Sequence, residues 1–382
     1  MLDAREHTQQ AGRVKFSKLI LYLFVVGVGL FLVVEVLVRL LFPQPLDPGR
    51  TFVVENEIPG LKPKVRYKID VNQIRGFEST KAKPDGALRI LCVGGDSTST
   101  MLQAVGDTWW GQLGAKLEAS LGKKVQIGCI TALRSSEIIG GAQWIDHVLG
   151  EVDGVDLVIA MYGHRAVLSP GVNFRFDPRS IEPIIFESKQ GLMFNLASAS
   201  HVVRLARNAH IKSKRDAQQR QLGKPNHLRD RFTAAGQAFR SITKTTSAPP
   251  RATDPRLKYL HGIGVFTEIA KRHGVKLLIL GEPTVFSESP SPDAAETLHT
   301  PVQIGPENSD FARPASIWVD SELGRYYAAA GKLCEAAAIP FVNLHGAIQP
   351  SRDNFYTEAT LTDAGALKLA EELLPSVETL LK

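Results

Sequence analysis

Leu88-Arg89-Ile90-Leu91-Cys92-Val93-Gly94-Gly95-Asp96-Ser97-Thr98 is the stretch on which the fold turns. A short apolar run that ends in paired glycines reads as a buried strand followed by a tight turn. Thr108–Leu121 comes next, with Trp109, Leu113, Leu117 and Leu121 at helical spacing. Val125–Ile130 reads as a second strand, Ser135–Leu149 as a second helix, and Asp156–Tyr162, ending at Gly163, as a third strand. Regularity lapses over 166–255, where Leu192–Ala209 is the clearest helical patch. It resumes with a helix at about 256–273, a strand at Lys276–Leu280, a helix at about 320–337, a strand at Pro340–Leu344 and a last helix at about 363–381. Strands alternating with helices predict an α/β sandwich of three layers, with a five-stranded parallel sheet covered on both faces. Ligands in such sheets sit beyond the carboxyl ends of the strands. That selects 94–100, 130–136, 163–167, 281–286 and 345–362 as the places to look for chemistry.

The chain has 382 residues, 44% of them apolar and 22% charged, with Lys and Arg exceeding Asp and Glu by 45 − 39 = +6. This composition excludes a disordered chain, a collagen-like repeat and a disulfide scaffold. The basic excess is too diffuse to imply nucleic acid as a partner. Three cysteines without a C-x-x-C pair make a zinc or redox site a poor reading, and no cofactor is expected. Cys92 and Cys129 read as buried free thiols in neighbouring strands. Trp109 and Trp110 read as core residues. The Pro- and Ser-rich stretch 283–315 reads as a surface loop. Between Arg204 and Arg231 the chain is rich in Lys and Arg, with acids only at Asp216 and Asp230, and reads as a solvated face within an insertion at about 170–255.

Leu19–Val34 carries no charge, and apolar character continues to Phe42 despite Glu35 and Arg39; Pro43 stops the helix. As a helix, 19–42 would span about 36 Å, enough for a hydrocarbon core of roughly 30 Å. The run is longer than a signal-peptide core and no small-x-small cleavage site follows, so an uncleaved single-pass anchor is expected. Arg5, Arg13, Lys15 and Lys18 precede it, which places 1–18 in the cytoplasm and the rest outside, in the periplasm or another extracytoplasmic space if the source is bacterial. Residues 43–86 then read as an extended stalk and lead-in, and 87–382 as the domain.

The strand followed by Gly95-Asp96-Ser97 resembles the nucleophile block of the SGNH/GDSL hydrolases. Asn72-Gln73-Ile74-Arg75-Gly76-Phe77 followed by Leu88-Arg89-Ile90 resembles the lead-in of membrane-anchored bacterial members. Phe355-Tyr356-Thr357-Glu358-Ala359-Thr360-Leu361-Thr362 resembles their last block, "F-Y-D-x-x-H-L-T". The resemblance implies an SGNH-type sandwich and hydrolysis or transfer of acyl esters, often acetyl groups on carbohydrate. It puts Ser97 in the nucleophile position and implies an oxyanion held by backbone N–H groups and an asparagine amide.

Carried over position by position, the other roles fall on unsuitable residues. Arg165 stands in the asparagine position, where a guanidinium can still donate. Thr357 and Thr360 stand in the Asp and His positions, and a threonine hydroxyl is no general base near neutral pH. The glycine-rich second block reads Cys129-Ile130-Thr131-Ala132-Leu133-Arg134. His345 and His164, on the ligand edge of the sheet, are candidate rescue bases; their plainer reading is a loop histidine and a packed one. Asp96 and Glu282 are carboxylates on the same edge, with Arg165 as a candidate ionic partner. Ser97 also reads as a helix N-cap. These departures point to a catalytically degenerate esterase fold that binds a glycan or protein partner of the cell envelope. The alternative is an active ester hydrolase or O-acyltransferase on cell-surface carbohydrate, using Ser97 with a non-standard base.

Overall fold

The computed structural model describes residues 22, 25–37, 51–55, 58–70, 72–95, 97, 98, 102–131, 137–168, 239–246, 255–298, 300–303 and 311–382. The chain divides into two compact units. Of the first, 1–47 with 182–224, only 22 and the helical residues 25–37 are described, and they carry exposed apolar side chains such as Val25, Leu30 and Val33. No helix among the described residues is long and apolar enough to cross a membrane. The remainder of the expected span 19–42, the segment 1–18 and the basic stretch 204–231 lie outside the described residues.

The second unit, 48–181 with 225–382, is built on a six-stranded sheet. Its strands are β3 (Ile74–Arg75), β4 (Leu88–Gly94), β5 (Val125–Ile130), β6 (Leu157–Tyr162), β8 (Lys276–Gly281) and β11 (Phe341–Asn343), in the order β11-β8-β6-β4-β5-β3. The five longer strands are parallel, as the alternation of elements predicts, and in chain order they lie 2-1-3-4-5. In this doubly wound order the winding of the connections reverses between β4 and β6, and sheets of this kind take ligands in the crevice at that point.

Side-chain alternation along the strands fills both faces. Ile90 and Cys92 of β4, with Ile159 of β6, pack on one side against α1 (Trp109–Leu121) and α7 (Asp363–Leu381) through Leu113, Leu117, Leu369 and Leu373. Leu91, Val93, Val158 and Ala160 face the other layer: α2 (Ile138–Glu151), α4 (Pro255–His273) and α6 (Ser316–Ala336), with Ile145, Ile263 and Tyr326 among the contacts. Each fully buried Leu or Ile side chain contributes about 1.5–3 kcal/mol relative to exposure. Thr108 and Thr362 start α1 and α7 by accepting from the backbone N–H of Gly111 and Gly365 at 3.1 and 3.2 Å.

Two stretches differ from the sequence expectation. The lead-in is not a free stalk over 58–86. β1 (Thr51–Glu55) and β2 (Lys64–Lys68) pair antiparallel, and β3 runs antiparallel to β5, pairing Ile74 with Ile130 and Arg75 with Cys129. Ile58, Val65, Ile69 and Ile74 are buried. The buried Arg89 ties this segment down, donating to the Lys81 and Asp153 carbonyls at 2.9 and 2.8 Å, to Gln126 Oε1 at 2.9 Å, and lying over the Phe77 ring. The second stretch is 283–315, which is not a surface loop throughout. Val285, Phe286, Ala294, Val302 and Ala312 are buried, Ala294 on α5 (Pro292–Ala295) and the last two on β9 (Val302–Gln303) and β10 (Phe311–Pro314), which also pairs with β7 (Thr245–Thr246), because apolar residues spaced among the Pro and Ser reach the core.

Candidate active site

The turn after β4 needs glycine at 94: a side chain there would collide with the Thr98 hydroxyl and the Met161 carbonyl. Gly95 N donates to Met161 O at 3.4 Å and Thr98 N to Gly95 O at 3.1 Å, so the turn lies against the end of β6. Its carbonyls are held from α1. Trp109 Nε1 donates to Ser97 O at 3.2 Å and Trp110 Nε1 to Thr98 O at 3.1 Å. Cys129 Sγ stands 3.3 Å from Thr98 O. The two tryptophans therefore fix the serine turn as well as filling the core.

Ser97 Oγ donates to Glu282 Oε1. Glu282 Oε2 accepts from the backbone N–H of His164 at 3.1 Å and stands 2.5 Å from His164 Nδ1. All three residues are buried, with 1%, 1% and 4% of their surfaces exposed for Ser97, Glu282 and His164. They come from the carboxyl ends of β4, β8 and β6, and β6 lies between the other two strands, so the topology alone brings them together. The network assigns the hydrogens: Nδ1–H donates to Oε2 and the Ser97 hydroxyl donates to Oε1. A hydroxyl thus stands within reach of a proton acceptor that a third group orients, the kind of geometry from which hydroxyl nucleophiles are activated.

Tyr327 of α6 completes the cluster. Glu282 N donates to Tyr327 Oη at 3.0 Å, and that hydroxyl lies 3.2 Å from Glu282 O. Burial first, then the neighbouring Tyr259 and Glu282, push the Tyr327 phenol well above its ordinary range, so it stays a neutral hydroxyl. Burial likewise raises the Tyr162 phenol, and raises the Cys129 thiol to about 12 against the opposing pull of Arg75.

The remaining residues singled out from the sequence are placed as follows. His345 meets Asp320 Oδ1 through Nε2 at 2.8 Å and Thr284 Oγ1 through Nδ1 at 3.3 Å, not Ser97. Arg165 is exposed on α3 (His164–Leu168) and is not a partner of Glu282, whose side chain is taken by Ser97 and His164. Thr357 and Thr360 bond to one another: their hydroxyls lie 2.6 Å apart, and Thr360 N donates to Thr357 Oγ1 at 3.1 Å. Asp96, Leu133 and Arg134 lie outside the described residues. The sequence placed Glu282 on the correct edge but not against Ser97, and Tyr327 carried no signal beyond helical spacing. Among the described residues no group of three or more His, Cys, Asp and Glu is arranged to hold a metal ion.

No protein-family model matches the chain, and no curated protein matches it. It is similar to the solved structure of an inhibitor-bound aryl esterase from M. smegmatis, at 16% identity and a TM-score of 0.37, over 77% of this chain and 99% of that one. A carbohydrate acetylesterase from Sinorhizobium meliloti is similar at 12% identity and a TM-score of 0.38, over 77% and 99% of the two chains. An α/β hydrolase from the metagenome of Lake Arreo, Spain, is similar at 11% identity and a TM-score of 0.36, over 77% and 96%.

Proposed function

We propose that the chain is an SGNH/GDSL-type hydrolase of ester bonds in which Ser97 is the nucleophile, Glu282 takes its proton and His164 orients Glu282. The observation that carries this reading is the buried chain of hydrogen bonds Ser97–Glu282–His164 at the switch point of the sheet. Ser97 Oγ forms a bond to the acyl carbon as its proton passes to Glu282 Oε1 and the carbonyl electron pair moves onto oxygen. The bond to the alcohol then breaks, and the leaving oxygen takes the proton back from Glu282. Water repeats the sequence on the acyl-serine. Arg165, in the position that the resemblance gives to an asparagine, is the side chain suited to donate to the oxyanion. The substrate class is an acyl ester on carbohydrate at the cell surface, reached by a domain tethered through 19–42. The exposed apolar side chains along 25–37 support the tether.

A second reading is favoured by a different observation. Ser97 is closed from solvent, and Thr357 and Thr360 bond to each other instead of offering an acid–base pair. In that reading the fold is a catalytically degenerate binder of a glycan or envelope protein. Hydrolysis of p-nitrophenyl acetate by the purified full chain in detergent decides between them. Ser97→Ala is expected to lower the rate by about a thousandfold or more, and Glu282→Gln comparably. Equal rates for the wild type and Ser97→Ala would leave the binding reading standing.

A further inference from the structure

Glu282 is the first residue beyond β8, where the sheet no longer supplies partners for its backbone. A buried N–H and C=O must find them elsewhere. Both are met by one atom, the hydroxyl of Tyr327, at 3.0 and 3.2 Å. Room for that hydroxyl is kept by Gly163, at the end of β6: a side chain at 163 would overlap Tyr327 Oη. Gly281 faces the same ring, with Tyr327 Cδ1 3.1 Å from where its side chain would begin. The ring is fully buried and packs against Tyr259, Phe341 and His345 at centroid distances of 6.4, 6.3 and 6.1 Å. The hydroxyl is thus held from α6 while it grips Glu282, which bonds both Ser97 and His164.

We infer that Tyr327 is a positioning residue: its hydroxyl fixes the backbone of Glu282 so that the two carboxylate oxygens point separately at Ser97 and His164. The inference rests on the catalytic reading of Ser97 and Glu282 but concerns a residue that touches neither substrate nor the reacting atoms. Removing the hydroxyl leaves Glu282 N and O without that partner and frees the residue to turn. A displacement of this kind in a reacting group costs on the order of a hundredfold in rate.

The test compares Tyr327→Phe, which deletes the hydroxyl, with Gly163→Ala, which keeps it but drives it off Glu282. Both are made in the full chain in detergent micelles. Two readouts are taken: the pH–rate profile of p-nitrophenyl acetate hydrolysis, and the low-field proton resonance of the His164–Glu282 hydrogen bond, assigned by its loss in Glu282→Gln. For both variants we expect kcat to fall about a hundredfold with KM changed by less than about threefold. The acid limb of the profile should move and the resonance should shift or vanish. An unmoved resonance and pH profile in Tyr327→Phe, whether or not kcat falls, overturn the inference, because a fall alone would mark a general defect of the fold. If Ser97→Ala leaves the rate unchanged, the catalytic reading fails. The resonance then decides alone: a shift in Tyr327→Phe retains the positioning role of Tyr327 on Glu282, and no shift there removes it.

Discussion

Two polar clusters follow the carboxyl ends of the strands, and they are built in opposite ways. Ser97, Glu282 and His164 come from three strands far apart in the chain and satisfy each other only because β4, β6 and β8 lie side by side. Thr357 and Thr360 come from one turn, closed at its base by the bridge between Phe355 and Leu361, and satisfy each other whatever the rest of the domain does. A cluster assembled across strands exchanges water for its protein partners only when the whole sheet forms. A cluster closed within one turn stores no such dependence. In the first kind, burial and distant partners hold a hydroxyl in one geometry, which is what the chemistry proposed for Ser97 requires.

The sharpest way to break this contrast is Glu282→Ala. It leaves the His164 ring and the Ser97 hydroxyl buried without their common partner, and each buried polar group left unmet costs about 1–3 kcal/mol. Urea unfolding is expected to report that loss, and a p-nitrophenyl acetate assay the loss of the hydrolysis proposed above. Next comes Arg89→Met, which strips partners from the Lys81 and Asp153 carbonyls; about 2–3 kcal/mol of stability should go, with the rate per folded molecule kept. Thr357→Val removes one acceptor from a local turn. It should cost about 1 kcal/mol and leave hydrolysis unchanged. A rate loss there as large as that for Glu282→Ala would erase the distinction between the two clusters.

The smallest effect concerns the thiols. Cys92, Cys129 and Cys334 are free and buried, and burial raises Cys129 to about 12 and Cys334 to about 11. No labelling by iodoacetamide is expected in the native protein at pH 8, against all three after unfolding. The sign of the linkage follows: the folded state holds these protons more tightly, so their contribution is complete below the ordinary thiol pKa of about 8.5 and is lost as pH rises toward 11–12. Unfolding at fixed urea should therefore become easier above about pH 9.

The parallel sheet was legible because its strands are continuous apolar runs bounded by glycine or by polar turns, and because a parallel arrangement follows from helices between them. β3 was not, since two residues carry no periodicity and pair only because β5 offers an open edge. Within the site, position along the chain placed Ser97, His164 and Glu282 on one edge. It could not say which side chain turns toward which, and Arg165 looked like an equal partner for Glu282. His164 sits one residue beyond Gly163, so its backbone N–H as well as its ring faces the carboxylate, a double contact that spacing does not encode. Tyr327 was invisible for a different reason: on α6 it falls in line with Leu323 and Ala330 and reads as one more core residue.

The pairing of β3 with β5 also bears on how the domain can be handled in the laboratory. A fragment that starts at 87 would lose the strand lying along β5, the lead-in backbone that Arg89 grips, and the cover over Cys129. The naked margin of β5 would then be free to zip onto a second molecule, and precipitation is the expected fate. A fragment that starts at 48 keeps the hairpin, the short strand and the clamp, and leaves the margin of β5 covered.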